Sequence, residues 1–281
     1  MRPNGDVFER MRTLPLTGKK RQVAKYILDN YIEASFLTAA QLAARVNVSE
    51  PTVIRLAYEL GFGGFPELKD ALQEEVQAQL TTVERLRRGR RKSSKTPGVR
   101  SLITEAGNVD HLIHTIDVRE LRQVSKRLLN ANKVIVVGYK MSAILAEYFH
   151  MALKKSVDNT VAVTEATGGF QEELVFAGPR SVVVGISFPR YTAAIVRDFR
   201  QAQEHGIETI AITDSELSPL VEYADHSLLA PSRAVSYVDA FAAPIALLCA
   251  ISTQVSVMTQ EKLIERLAAV EKLWEENGIF H

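Results

Sequence analysis

Cysteine is almost missing from this chain. Cys249 stands alone among 281 residues, so no internal disulfide can form and the small disulfide-stapled classes are excluded. Long apolar runs are missing too. The most apolar stretch, residues 240–251, contains Pro244 and falls short of the roughly 18 residues that span a bilayer, so no membrane segment is expected. The opening residues MRPNGDVFERMR lack the apolar centre of a secretory signal, and a reducing, cytoplasmic setting follows as the expectation. No cluster of His, Cys, Asp or Glu has metal-ligand spacing, and no cofactor is expected. Hydrophobic residues at 46% and charged residues at 24% leave an ordinary globular composition, which excludes wholesale disorder and fibrous repeats.

Net charge is only +1, but that total conceals a division. Residues 1 to 100 hold 18 Lys and Arg against 11 Asp and Glu, whereas residues 101 to 281 hold 16 against 22. A basic first part joined to an acidic second part suggests a nucleic-acid-facing unit attached to something else. Length agrees, because 281 residues accommodate about two domains at roughly 150 residues each. Between the two runs TTVERLRRGRRKSSKTPG, residues 81–98, with seven basic residues and almost no apolar periodicity after Leu86. The expectation is a basic linker over 81–107, separating a domain at 1–80 from one at 108–281.

Upstream of that run the apolar positions recur at helical spacing, as in Val23, Tyr26, Ile27 and Tyr31, and nothing alternates with period two. The first 80 residues are therefore expected to be all helical. Within them, Thr38 is an N-cap candidate for a short helix carrying Leu42, and Val46 and Asn47 supply a tight connection. Ser49 then caps a second helix, with Pro51 in its first turn, where a missing N–H matters little, and Val53, Leu56 and Leu60 facing inward. Gly61 ends it. Two short helices joined by so tight a turn read as a helix-turn-helix. Ser49, Thr52 and Arg55 then point away from the packed face toward base edges, while Lys69 and the basic linker are placed for phosphates. For Arg55, base contact, phosphate contact and simple solvation all stay open.

Downstream, short β-branched runs at 134–137, 160–163, 181–186 and 209–213 alternate with amphipathic stretches of helix length. That alternation predicts βαβ units in a three-layer α/β/α domain with a parallel, flavodoxin-like sheet. In such sheets anion sites form where loops leave the C-terminal strand ends and the next helix begins. Two loops qualify: Gly138-Tyr139-Lys140-Met141-Ser142 and Ser187-Phe188-Pro189-Arg190-Tyr191-Thr192. Hydroxyls at Ser142, Ser187 and Thr192, with cations at Lys140 and Arg190, suit a phosphate or carboxylate.

Both halves together resemble an RpiR-family bacterial transcription regulator. The first likeness runs over about residues 14–80, through AAQLAARVNVSEPTVIRLAYELGFGGFPELK, and the second over about 110–268, where GIETIAITDSELSPLVEYADHSLLA is similar to a sugar isomerase (SIS) domain. The resemblance implies a winged or extended helix-turn-helix that reads double-stranded palindromic operator DNA, and an SIS domain that binds a phosphosugar or related anionic metabolite as effector. Gly138, Tyr139, Lys140, Ser142, Ser187, Arg190 and Thr192 become the candidate effector residues. Such proteins pair through the SIS domain into dimers or tetramers, and Leu263, Leu267, Val270 and Trp274 form a helical stripe suited to an interface.

The loops depart from the family pattern. Where phosphosugar-binding SIS domains have a first loop resembling G-x-G-x-S, Lys140 replaces the second glycine; where they have S-x-S-G-x-T, Pro189 and Arg190 replace the small residues. Side-chain charge thus stands where a bare backbone nest would close on phosphate. In one reading Lys140 and Arg190 clamp an anionic ligand; in another they fill the site themselves by pairing with Glu147 or Asp239. SIS domains also serve sugar-phosphate isomerases, and Glu147, His150 and Glu165 are the acid–base candidates of that alternative. Cys249 is expected to pack within its helix.

Overall fold

The computed structural model describes residues 7–35, 37–79, 82–91, 96–216 and 218–280. The chain divides between Arg87 and Arg88 into two compact units.

Every regular element among the first unit's described residues is a helix: α1 Val7–Thr13, α2 Gly18–Asp29, α3 Tyr31–Ala34, α4 Ala39–Val46, α5 Glu50–Glu59 and α6 Phe65–Gln79. Its core gathers Val23 and Ile27 of α2, Leu42 of α4, Val53, Leu56 and Ala57 of α5, and Leu68 and Leu72 of α6. Among the described residues no strand is present, so the helix-turn-helix is of the extended kind and has no β-wing. The start of α4 carries a full capping box, in which the Gln41 N–H donates to Thr38 Oγ1 at 3.2 Å and the Thr38 N–H to Gln41 Oε1 at 2.9 Å.

The second unit is built on a five-stranded parallel sheet in the order β2-β1-β3-β4-β5. Its strands are β1 Lys133–Val137, β2 Thr160–Val163, β3 Ser181–Ile186, β4 Glu208–Thr213 and β5 His226–Leu229. The helices are α8 Pro97–Thr115, α9 Val118–Asn130, α10 Ser142–Leu153, α11 Gly169–Val175, α12 Ala193–Glu204, α13 Ala242–Met258 and α14 Gln260–Glu276, following an α7 at Thr82–Arg91. The period of two along each strand sorts its residues onto two faces. Val134, Val136, Val182, Val184, Ile210 and Ile212 pack against α9, α10 and α13. Ile135, Val137, Val183 and Ala211 pack against α11 and α12. At Gly185 β3 meets α12 closely: a Cβ there would stand 2.6 Å from the Phe199 ring, so no side chain fits.

Two expectations need correction. The 81–107 segment is not an irregular linker over its described residues, since Thr82–Arg91 and Pro97–Thr115 are helical. Arg, Glu and Leu are good helix formers, so a basic run without an apolar stripe can still form a helix. Also, α8 belongs to the second unit and begins eleven residues before the expected start at 108, held there by Glu105, Asn108 and Leu112. Residues 92–95 lie outside the described part. A fifth strand, β5, adds to the four β-branched runs: its sequence HSLL carries no β-branched residue, and it is an edge strand held by pairing with β4.

Candidate functional site

In the first unit the turn between α4 and α5 forms as its sequence requires. Asn47 takes the left-handed conformation, φ 55°, and the Val48 N–H reaches back to the Ala43 carbonyl at 2.9 Å. Ser49 is the N-cap of α5 by backbone geometry, yet its hydroxyl bonds no helix N–H. It lies 2.9 Å from the Thr52 hydroxyl instead. Burial of Val53, Leu56 and Ala57 turns Arg55 outward, exposed, with Thr52 beside it partly exposed. Lys69 lies on α6, partly buried, and does not share that helix. Of the side chains of Arg87, Arg88, Arg90 and Arg91, nothing falls within the described part.

In the second unit the strand order reverses direction between β1 and β3, whose register pairs Val137 with Gly185. Loops leaving two such adjacent strands on opposite sides open a crevice, and ligands of doubly wound sheets bind there. Both candidate loops leave at this place. Gly138 follows β1 directly, and its missing side chain lets α10 begin at once: a Cβ would stand 2.6 Å from the Ser142 carbonyl oxygen. Lys140 has φ 57°, the backbone conformation a glycine would favour, although its side chain is a cation. Lys140 and Arg190 are exposed, while Ser142 and Ser187 are buried, at 7% and 4% exposure. The two loops thus combine exposed charge with buried hydroxyls. Thr192 is the N-cap of α12, its Oγ1 accepting from the Ile195 N–H at 3.5 Å.

Tyr139 lies apart from this group. Its side chain joins the α11/α12 layer, where the hydroxyl donates to Asp198 Oδ2 at 2.5 Å. Burial first, then the hydrogen bond to Asp198, holds the Tyr139 phenol far above its ordinary range. The strand's period explains this, because residue 139 continues the face of Ile135 and Val137. Sequence reasoning misses two residues here: Tyr191, whose hydroxyl donates to Asp214 Oδ1 at 2.6 Å, and Asp214 itself, next to the end of β4. The TDS sequence at a strand end is the signal that could have found Asp214.

The remaining candidates are dispersed. Glu147 and Glu165 are exposed, and Asp239 is partly exposed, so neither expected partner of Lys140 and Arg190 is a buried carboxylate. His150 Nδ1 lies 2.9 Å from the Thr160 hydroxyl. Cys249 does not pack: it is exposed on α13, with Sγ 2.9 Å from the Tyr148 hydroxyl. Among the described residues no group of three His, Cys, Asp or Glu is placed to hold a metal ion. Among the same residues no single helix is long and apolar enough to cross a membrane.

A helix-turn-helix unit followed by a 2-1-3-4-5 parallel α/β unit, with two polar loops leaving at its switch point, defines a regulator built on an SIS-type domain. Residues 10–79 match the rpiR-family helix-turn-helix domain and residues 127–254 the SIS domain, and the chain belongs to the RpiR family of transcriptional regulators. It is 28% identical over 253 residues to an HTH-type transcriptional regulator of Caldanaerobacter subterraneus, covering 88% of this chain and 87% of the relative. The sugar isomerase domain of an RpiR transcription factor from Sphaerobacter thermophilus superposes with a TM-score of 0.61 at 25% identity, over 63% of this chain and 99% of that one. The NanR protein of Vibrio vulnificus, complexed with ManNAc-6P, shares the fold over 96% of this chain and 98% of its own, with a TM-score of 0.59 and 19% identity.

Proposed function

We propose that the protein binds operator DNA through α5 and that a small anion, a sugar phosphate foremost, held between the ends of β1 and β3 controls that binding. What supports this reading is the pair of loops that leave the adjacent C-terminal ends of β1 and β3, in which Lys140 and Arg190 are exposed and Ser142 and Ser187 buried. Fold likeness to the NanR protein complexed with ManNAc-6P supports a phosphosugar. The test is a thermal-shift screen of the full chain against sugar phosphates and other anionic metabolites. A ligand at 100 times its dissociation constant adds about 2.7 kcal/mol, several degrees of melting temperature. A screen in which nothing shifts the transition overturns the effector reading. We assign no isomerase activity: Glu147 and Glu165 are exposed and His150 is engaged by Thr160, so no buried acid–base pair is formed from the three. The setting that fits a DNA-binding metabolite sensor is the cytoplasm.

Arg55 is assigned to base contact because it is the exposed cation of α5, flanked by the Ser49–Thr52 pair. Arg55→Ala is expected to lose about 1 to 3 kcal/mol of discrimination at one base pair per half-site. Binding-site selection with this variant checks it, and an unchanged preference refutes the assignment. Lys69 and the basic run are assigned to phosphates. Neutralising Arg87, Arg88, Arg90 and Arg91 is expected to flatten the salt dependence by up to roughly 0.9 log units for each phosphate that they no longer neutralise. Titrations across a range of salt read this directly.

The reading includes a two-fold dimer built by the SIS unit. The 17-residue α14 buries none of its residues within one chain, and its stripe of Leu263, Leu267, Val270 and Trp274 stays partly exposed. Ile144 and Met151 of α10 are likewise exposed, at 59% and 53%. Such faces suit a second copy, and paired heads then read inverted half-sites. Sedimentation that finds a monomer at micromolar concentration counts against it.

A further inference from the structure

We infer that α8 is the element that reads the state of the effector site, because the loop at the end of β5 is hydrogen-bonded to it and the loop at the end of β3 packs on Phe241 at the end of that loop. This inference rests on the effector reading above and specifies how that site regulates.

The fastening begins in the second candidate loop. Phe188 is 5% exposed and belongs to the core between the sheet and the layer that contains α8 and α13. Its ring centroid lies 6.0 Å from that of Phe241. Phe241 is the N-cap residue of α13 and gives that helix no side-chain cap. The Ala242 N–H donates instead to Glu105 Oε2 of α8 at 3.2 Å, 137 residues earlier in the chain. Three residues on, Asn108, 3% exposed, donates from Nδ2 to the Arg233 carbonyl at 2.9 Å.

Residues 230–241 leave β5 and lead to α13, so α8 grips this loop near its beginning and at its end. The beginning of the loop also lies beside β4, with the Ala230 N–H bonded to the Thr213 carbonyl at 2.8 Å. Anion binding at Ser187 and Arg190 therefore acts on Phe188, through it on Phe241, and through Ala242 on Glu105. A contiguous chain of packed rings and hydrogen bonds is the physical form such coupling requires.

The build of α8 matches this role. Its C-terminal half is anchored by Asn108 and Leu112, whereas Val99, Leu102 and Ile103 in the N-terminal half are 51%, 70% and 66% exposed. A plain packing helix would bury an apolar stripe along its whole length. The N-terminal half is also where the chain arrives from the helix-turn-helix. Movement of the Glu105 and Asn108 contacts thus acts on the segment that carries the DNA-binding head.

The test uses the full chain and hydrogen exchange of backbone amides. Phe188→Ala is expected to speed exchange at residues 99–107 by about tenfold or more while α9 is unchanged, because local opening free energies respond to the contacts that close them. Glu105→Ala is expected to do the same at residues 234–245. Unchanged protection of α8 in Phe188→Ala, with the 187–192 loop itself altered, overturns the inference. If that variant does not fold, Phe188→Leu replaces it, and Glu105→Ala decides from the other end. Glucose 6-phosphate and N-acetylmannosamine 6-phosphate then serve as probes. Equal melting shifts in wild type and Glu105→Ala, with operator affinity changed only in wild type, support the coupling; equal operator responses overturn it. If neither probe binds either protein, these phosphosugars are refuted as effectors, and the exchange result still decides the coupling.

Discussion

Asp198→Ala is expected to be among the most destabilising single changes in the second unit, lowering stability by about 3 to 5 kcal/mol. Asp198 is 1% exposed and stands on α12, yet it is a charged residue type in an otherwise apolar layer. It accepts from the Tyr139 hydroxyl at 2.5 Å and from Gln171 Nε2 at 2.9 Å, with Arg197 Nε 3.5 Å away. One carboxylate thereby joins the end of β1 to α11 and α12. Alanine removes the acceptor and leaves a buried phenol with no partner, which is the situation that makes breaking a buried network more damaging than never having had it. Thermal or urea denaturation checks the magnitude; at a few degrees per kcal/mol for a unit this size, the melting temperature falls by roughly 10 °C. Tyr139→Phe tests the cause. In that background Asp198→Ala is expected to cost about 1 to 3 kcal/mol less than in wild type, the signature of two residues that act as a pair. A loss under about 1 kcal/mol for Asp198→Ala alone refutes the account.

The bond between Tyr139 and Asp198 also explains why the crevice residues differ in kind. Tyr139 is sequestered on the α11/α12 face, so the loop it belongs to is anchored from behind. Gly138 admits α10 on the other side of the strand. Between these two fixed points Lys140 is left to project outward, its backbone already in a conformation that most residues avoid. Anchored loops with exposed charged tips are what a preorganised anion site requires, since little ordering is left for the moment of binding.

Much of this is legible in the residues, and the failures have physical causes. The helix-turn-helix is readable because caps and turns are local: Thr38, Asn47, Pro51 and Gly61 act within a few residues of themselves. Four of the five strands are readable from β-branched runs: β1, β3 and β4 are central strands buried on both faces, and β2 is an edge strand whose TVAV is still β-branched. The edge strand His226–Leu229 is not, because its pairing with β4 supplies what its composition lacks. The extent of α8 is hidden for a related reason. Glu105 and Asn108 are fixed by partners 137 and 125 residues away, and no local pattern announces such contacts. Place in the loop assigns Tyr139 to the crevice, although counting the strand's alternation one step further puts it on the opposite face. Asp214 and Tyr191 are invisible as a pair, since only the sheet order brings the β3 and β4 loops side by side.

Arg190→Ala is expected to abolish the response of operator binding to its anionic effector while leaving effector-free operator affinity and melting temperature nearly unchanged. Exposure decides the second half of that expectation. Arg190 is exposed, and the carboxylates considered as its partners are exposed at Glu147 and partly exposed at Asp239, so any pairing among them is a surface pairing worth about 1 kcal/mol or less. The first half follows from linkage: an effector shifts DNA binding only by its differential affinity for two states, typically about 1 to 3 kcal/mol, and losing the clamp removes that difference. Lys140→Gly provides the companion experiment. Because the backbone at Lys140 already has φ 57°, glycine enters without strain, so the fold should be as stable as before or slightly more so. Only the cation is removed. A melting curve of each variant, run beside a titration with the sugar phosphate that stabilises wild type, reads both quantities. If Arg190→Ala unfolds several kcal/mol earlier and no effector is found, the two cations fill the crevice themselves and the site is not a ligand site. If both variants keep their stability and lose the response together, the glycines this family uses to hold phosphate by backbone have been replaced here by side-chain charge that serves the same purpose.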